Sequence, residues 1–411
     1  MERTTKLIEV FKNYNFTKLW IGQIVSALGD RFHQVALLGL IIRNGGNVGE
    51  ELSRITFWST LPFFLFSLFS GVLSDRLSRR KIMIGSDISR ALLVCAIPWL
   101  ISDSAYIAPA YPVIFIIGVF TCFFSPAKYS IIPDVVEDRH LLAANALIAS
   151  SALLSILAGT AIGSIVFDKI GFKPSLYFDA FTYLFSAGTI FLLTVREKEY
   201  RKIRSFFEIL SDIRDGMKHI YQDERLKILI IFNAIFWFIG VSFYIAISDF
   251  ADKVLNLKFL TPLGFVFTLL GAGLFTGSIL VGKYGNKVKR NTIYTWSIAS
   301  LSFGIILFSL VKSYTLIMVI TYFTGIAGGA FLAPINADIQ MASPSELRGR
   351  IFACRDIFVN ASVVAPTLVI GKLTALIPVR NLMLYLGIGV CVFSLFVMWS
   401  SIKLNNVKKF V

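Results

Sequence analysis

The chain has 411 residues, 56% of them hydrophobic and 16% charged, with a mean hydropathy of +0.73. Soluble domains are roughly 45–50% apolar and about 25% charged, so the composition excludes an ordinary soluble protein and points to lipid as the solvent. The net charge of +15 does not indicate a nucleic-acid partner, because Lys and Arg fall in short runs between apolar stretches, as membrane topology requires.

A membrane-crossing helix needs about 20 mostly apolar residues. Apolar stretches predict spans at 19–42, 55–73, 82–101, 112–132, 142–167 and 175–195. Six more follow at 228–248, 263–281, 293–310, 316–337, 351–370 and 383–402. The expected fold is all-α and polytopic, with about twelve transmembrane helices in two six-helix bundles. The bundles cover 1–195 and 226–411, joined by a cytoplasmic linker at 196–225. The first stretch, from Leu19 to Ile42, is too long for the apolar region of a signal peptide and reads as an uncleaved span.

Span 1 carries the deepest charge, Asp30. Trp20, Gln23, Asp30 and Gln34 share one side of a helix, with Arg31 and His33 adjoining. Ionisable groups at this depth are costly and mark functional sites by default. The sector is expected to face a central cavity, where Asp30 loads a proton on one side of the membrane and releases it on the other. Arg31 and His33 oppose that charge or titrate themselves. The competing reading is structural: Asp30 pairs permanently with an arginine or caps a neighbouring helix.

Span 2 ends in Gly71-Val72-Leu73-Ser74-Asp75-Arg76-Leu77-Ser78-Arg79-Arg80-Lys81. This run resembles the loop between spans 2 and 3 of the major facilitator superfamily, G-x-L-A-D-R-x-G-R-K/R. Ser78 stands where that pattern prefers Gly, so a less permissive turn is expected. The resemblance implies a conformational latch. In it Gly71 permits close helix approach, and Asp75 meets a helix N-terminus or an arginine while Arg76, Arg79 and Arg80 surround it. The plain alternative is basic residues anchoring a cytoplasmic turn to phospholipid. Asp87 and Arg90, three residues apart in span 3, read as a structural pair engaged with this latch.

Spans 4 and 5 contribute Lys128 and Asn145, and later spans contribute Asn233, Asn336 and Asp338. Lys128 snorkels or holds an anionic headgroup. The asparagines line the substrate path or make interhelical hydrogen bonds. Gly159-Thr160-Ala161-Ile162-Gly163-Ser164 occupies the place of the family's antiporter motif, G-P-x-x-G-G, with Thr160 for Pro and Ser164 for the last Gly. Trp20-Ile21-Gly22-Gln23, Ser26-Ala27-Leu28-Gly29-Asp30, Asp87-Ile88-Ser89-Arg90 and Pro126-Ala127 are similar to the macrolide-efflux-type branch. Ser125 to Tyr129 and Gly328 to Asn336 also resemble bacterial lysophospholipid transporters.

The linker places Phe206, Phe207, Ile209, Leu210, Ile213, Met217 and Ile220 at helical spacing, which predicts an amphipathic helix lying on the membrane surface. The halves repeat weakly. Pro126 and Pro334 are separated by the same offset, 334 minus 126, that sets the Asp75 run against Lys283, Lys287 and Lys289. With both termini in the cytoplasm, inside segments hold about 26 Lys and Arg and outside segments about 9, a positive-inside bias consistent with the inner membrane.

Cys95, Cys122, Cys354 and Cys391 form no CxxC pair and read as small buried hydrophobes. The 38 Phe residues face lipid or fill core, and some suit an apolar cavity. No phosphate-binding loop, HExxH, GxSxG or Cys/His cluster occurs, so no enzyme activity, cofactor or metal is expected. The resemblance implies a monomeric, proton-coupled exporter of amphipathic or drug-like compounds. Lysophospholipid movement is the alternative, and small-metabolite import is third. The expected partners are a small-molecule or lipid substrate, membrane lipids and protons.

Overall fold

A computed structural model describes residues 7–101, 107–137, 140–194, 206–257, 259–344 and 347–407. Side chains at 7–8, 68, 71–76, 142, 152–153, 206–207, 209–210, 286 and 400–407 lie outside the described part. Gly71, Asp75 and Arg76 of the expected latch, and Phe206, Phe207, Ile209 and Leu210 of the linker, are among them.

The described residues form helices and no strand. In order these are α1 (Leu7–Val10), α2 (Tyr14–Arg43), α3 (Val48–Arg76), α4 (Arg79–Leu100), α5 (Tyr111–Val135), α6 (Leu141–Ile170) and α7 (Phe172–Phe191). Then come α8 (Phe206–Gln222), α9 (Glu224–Lys253), α10 (Thr261–Tyr284), α11 (Arg290–Leu310), α12 (Tyr314–Ala342), α13 (Arg348–Leu376) and α14 (Val379–Val407). Ten helices among the described residues are long and apolar enough to cross a membrane. The other two long ones are α3, with 29 residues, and α7, with 20 residues, which at 1.5 Å per residue spans a bilayer core of about 30 Å. The helices overrun the apolar stretches. α3 starts at Val48 rather than 55, because Glu50 and Glu51 in its first turn are held by Arg54 on the same helix.

Two compact units emerge. Unit 1 comprises Met1–Gly46, Trp58–Phe206 and Phe259–Gly264; unit 2 comprises Asn47–Phe57, Phe207–Lys258 and Phe265–Val411. In unit 1, α2 lies against α6 and α7. Asn13 caps α2 by accepting from the amides of Asn15 and Phe16, and its own amide donates to the Val135 carbonyl at 2.7 Å. Ser78 has an ordinary φ of −55° and caps α4 by accepting from the Lys81 amide at 3.2 Å. The departure from Gly therefore supplies a helix cap rather than a strained turn. Gly171, at φ +85°, is the single residue between α6 and α7. Asp168 near the end of α6 accepts from the Leu260 and Thr261 amides at 2.9 and 2.7 Å, capping the first turn of α10. Beside it, Thr160 and Ser164 of the altered antiporter motif face Gly264.

Unit 2 is built on aromatic packing. The Phe232 ring meets Tyr294, Phe331 and Phe393 at centroid distances of 6.1, 6.2 and 5.8 Å. Phe236, Phe243, Leu270, Leu274 and Leu301 help to line an apolar cavity of about 80 Å³ within it. α10 and α12 touch through small residues: a Cβ on Gly273 would fall 2.9 Å from the Gly325 Cα, and one on Gly329 would fall 2.8 Å from the Leu274 carbonyl carbon.

The expected linker helix is present as α8 (Phe206–Gln222). Ile213, Met217 and Ile220 pack on the unit 2 core, and Arg350 of α13 pairs with Asp212 and Asp215, each at 2.8 Å. These three described members of the apolar stripe are covered by the unit 2 core. The cysteines are free, as expected, but only Cys122 and Cys354 are buried; Cys95 is half-buried and Cys391 is exposed.

Replacing Gly329 with Ala is expected to cost about 1–3 kcal/mol, because the added methyl meets backbone that cannot move aside. Gly282→Ala, where an added Cβ meets nothing within 4 Å, should be neutral or slightly stabilising. Thermal unfolding of the detergent-solubilised variants checks the contrast, and equal midpoints would refute it.

Candidate functional site

The principal cluster of charged groups in unit 1 is set by α2, α4, α5 and α7. Gly22 and Gly29 of α2 face Thr189 and Thr182 of α7, and a Cβ on Gly29 would fall 2.5 Å from Asp179 Oδ1. Absence of side chains at 22 and 29 lets the two backbones close up. Polar groups of α7 recur three or four residues apart as Asp179, Thr182, Ser186 and Thr189, forming one helical face toward α2.

Four polar contacts organise this space. The Tyr183 hydroxyl donates to Asp30 Oδ1. His33 Nδ1 and Asp179 Oδ2 lie 2.7 Å apart. Thr182 Oγ1 donates to Asp179 Oδ1 at 3.3 Å. Arg90 Nη2 forms an ion pair with Asp87 Oδ1. The Arg90 guanidinium carbon also sits 4.3 Å from the Tyr183 ring centroid and 4.4 Å from that of Phe124. A guanidinium between two aromatic faces replaces part of its lost hydration with cation–π attraction. Asp87, Asp179, Tyr183 and Arg90 have exposures of 0, 0, 1 and 2%, whereas Asp30 is half-buried.

The remaining sequence candidates disperse. Gln23 is buried against α7 and donates to Ser186 at 3.4 Å, while Gln34 is exposed and accepts from Arg31 at 2.8 Å. Arg31 leans on Gly159 of α6. The polar sector of α2 is thus divided between a helix contact and an open side, because α7 takes up the Gly22–Gly29 face. Lys128 is half-buried; its ammonium stands 5.0 Å from the Tyr129 ring and makes no hydrogen bond or ion pair with any described residue. Asn145 is exposed and donates to the Leu141 carbonyl at 2.9 Å. In unit 2, Asn233 is buried in α9, Asn336 accepts from Arg355 at 3.0 Å, and Asp338 accepts from the Tyr294 hydroxyl at 2.7 Å.

Of the expected latch, Arg79 reaches Asp134 at 2.6 Å and Arg80 donates to the Ile190 carbonyl at 3.2 Å. Asp87 and Arg90 lie in the interior cluster beside Tyr183. Sequence reasoning missed Asp179 and Tyr183. The signal was present as the polar repeat along α7, whose spacing matches Gly22, Ser26, Gly29 and His33 on α2. Arg79–Asp134 has a counterpart in Arg290 and Asp338, 3.5 Å apart and within a few residues of the repeat offset.

The arrangement sets the Arg90 guanidinium against one carboxylate and the His33 imidazole against another. It contains no nucleophile aligned with a base for covalent chemistry among the described residues. Comparison with known proteins agrees. The sequence profile described as Major Facilitator Superfamily matches residues 19–366. The putative bacilysin exporter BacE of Bacillus subtilis (strain 168) is 26% identical, covering 88% of this chain and 89% of that one. Macrolide efflux protein A of Streptococcus pyogenes is 22% identical over 84% of this chain and 86% of its own length. A crystal structure of the nucleoside transporter NupG, a single-residue variant, superposes with a TM-score of 0.74 at 12% identity, covering 94% of this chain and 99% of that one. By profile match, helical architecture and these neighbours, the chain belongs to the Major Facilitator Superfamily and is a multi-pass membrane transporter rather than an enzyme.

Proposed function

We propose that this transporter is a proton-coupled exporter of amphipathic, drug-like compounds, working by alternating access in the inner membrane with both termini in the cytoplasm. The observation that carries the reading is Asp30, a half-buried carboxylate at membrane depth held by the Tyr183 hydroxyl. A carboxylate so placed is costly when charged and uncharged when protonated, so a proton changes the free energy of moving it between environments. The names of two relatives, an exporter and an efflux protein, support the direction. The Gly71–Arg80 run is included in the proposal as a latch that holds one conformation.

Lys128 favours a second reading, lysophospholipid movement. Its ammonium is half-buried with no anion on it among the described residues, and a phosphodiester headgroup would fit there.

The test is reconstitution of the full chain into liposomes with labelled erythromycin or lysophosphatidylethanolamine as probes. Acid-interior vesicles are expected to accumulate erythromycin above the level reached with a protonophore. Asp30→Asn should reduce accumulation to that of protein-free vesicles. Accumulation indifferent to the protonophore, or driven by a sodium gradient instead, would sink proton coupling. Lysolipid accumulation without erythromycin accumulation selects the second reading.

The latch has its own test in the same vesicles. Asp75→Lys should insert normally and lose most transport, and full transport by that variant would leave the run as a topology signal only.

A further inference from the structure

Two acid–base pairs sit within a few turns of one another in unit 1, and they differ in kind. Asp87 faces Arg90, whose guanidinium keeps its proton at any physiological pH. Asp179 faces His33, the one side-chain type whose charge ordinarily changes between about pH 5 and 8. Asp179 is fully buried, and among the described residues its carboxylate meets His33 Nδ1 at 2.7 Å and Thr182 Oγ1 at 3.3 Å. Neither partner is a permanent cation. With His33 protonated the pair is neutral as a unit; without that proton a carboxylate stands unbalanced in the bundle interior, which is costly.

Asp30, His33 and Asp179 each bring one oxygen or nitrogen within 4.8 Å of the others. That spacing is one hydrogen bond or one bridging water. Asp30 is the member with solvent exposure among the carboxylates, and Asp179 is the one without. The other titratable or charged groups that act on the pair are Arg31 on α2, Arg90 and Cys95 on α4, and Tyr183 on α7. Arg90 is committed to Asp87 and the two rings, and Arg31 to Gln34.

We propose that the coupling proton is held by the His33–Asp179 pair, with Asp30 as the group that passes it between the pair and water. This deepens the proton-coupled reading and rests on it. In the loaded state His33 is an imidazolium donating through Nδ1 to Asp179 Oδ2. In the unloaded state His33 is neutral, Asp179 remains a carboxylate, and the proton has left by way of the Asp30 carboxylate. One proton is released per cycle and no bond other than N–H or O–H is made or broken. Gly29 is what lets Asp179 approach α2 closely enough to form the pair.

The chain has three histidines, His33, His140 and His219, so nitrogen-15 labelling of histidine gives few imidazole signals, and His33→Gln identifies the relevant one. In the detergent-solubilised full chain, the His33 signal is expected to titrate between about pH 5 and 8, with a midpoint moved by about one pH unit or more in Asp179→Asn. A His33 that does not titrate there, or titrates identically in both proteins, overturns the proposal.

Vesicles supply the second readout. His33→Gln and Asp179→Asn should each lose gradient-driven accumulation of erythromycin while retaining exchange of labelled for unlabelled erythromycin. Retained gradient-driven accumulation in either variant overturns the proposal even where the other fails to fold. If the parent protein shows no gradient dependence, the proton-coupled reading itself falls. If the parent depends on the gradient and His33→Gln behaves like it, this inference alone falls.

Discussion

The close approach of α2 to α7 is the constraint on which the interior of unit 1 depends. Gly22 and Gly29 are seven residues apart, two helical turns, so both present bare backbone to the same neighbour. Without that approach, Tyr183 could not reach Asp30, and Asp179 could not reach His33. The charged groups therefore depend on residues with no side chain at all. Small residues are a usual means of helix association in lipid, where apolar side chains gain nothing by leaving the solvent. Here they also bring carboxylates from one helix into hydrogen-bonding range of the other.

Once the groups are together, the bilayer decides how each is satisfied. Water is absent, so every buried charge must find its partner inside the protein. Arg90 meets this condition three times over, with a carboxylate and two aromatic faces. Such redundancy fixes it in place. Asp179 meets it once, through a group that can lose its charge. The difference between the two pairs is one of protonation chemistry, since both are deeply buried and both bring an acid to a base.

The fold class was legible because lipid imposes it at the level of composition, and the helix positions because about 20 apolar residues in a row have few other uses. The approach of Arg90 to Asp87 was legible because both lie on one helix, three residues apart. The pairing of Asp179 with His33 was not, because the partner lies on another helix and the polar repeat along α7 does not name the neighbour it faces. What covers Ile213, Met217 and Ile220 of α8 was not legible for a related reason. An amphipathic stripe states that something apolar will cover it, but Ile213, Met217 and Ile220 read the same whether lipid or the core of unit 2 does so. At Ser78, where the family pattern prefers Gly and a less permissive turn is expected, the backbone has an ordinary φ and the side chain caps α4.

The internal repeat sharpens the contrast between the units. Under the offset that relates Pro126 to Pro334, Asp30 corresponds to Phe238, His33 to Val241 and Asp87 to Thr295. Arg90 corresponds to Ile298, Asp179 to Gly387 and Tyr183 to Cys391. Each ionisable member of the cluster but Tyr183 thus has an apolar, hydroxyl or glycine counterpart, and Tyr183 has a thiol. Ile298 is wholly buried in the core of unit 2. By contrast the peripheral ion pairs, Arg79 with Asp134 and Arg290 with Asp338, persist in both units near the helix ends. The Asp30–His33–Asp87–Arg90–Asp179 cluster of unit 1 thus has no charged residue at the offset positions of unit 2, whereas ion pairs near the helix ends occur in both. The peripheral pairs suit helix placement, which both units need. The interior pairs cost stability wherever they occur, whereas Ile298 of unit 2 lies in one core with Phe232, Phe236 and Phe331.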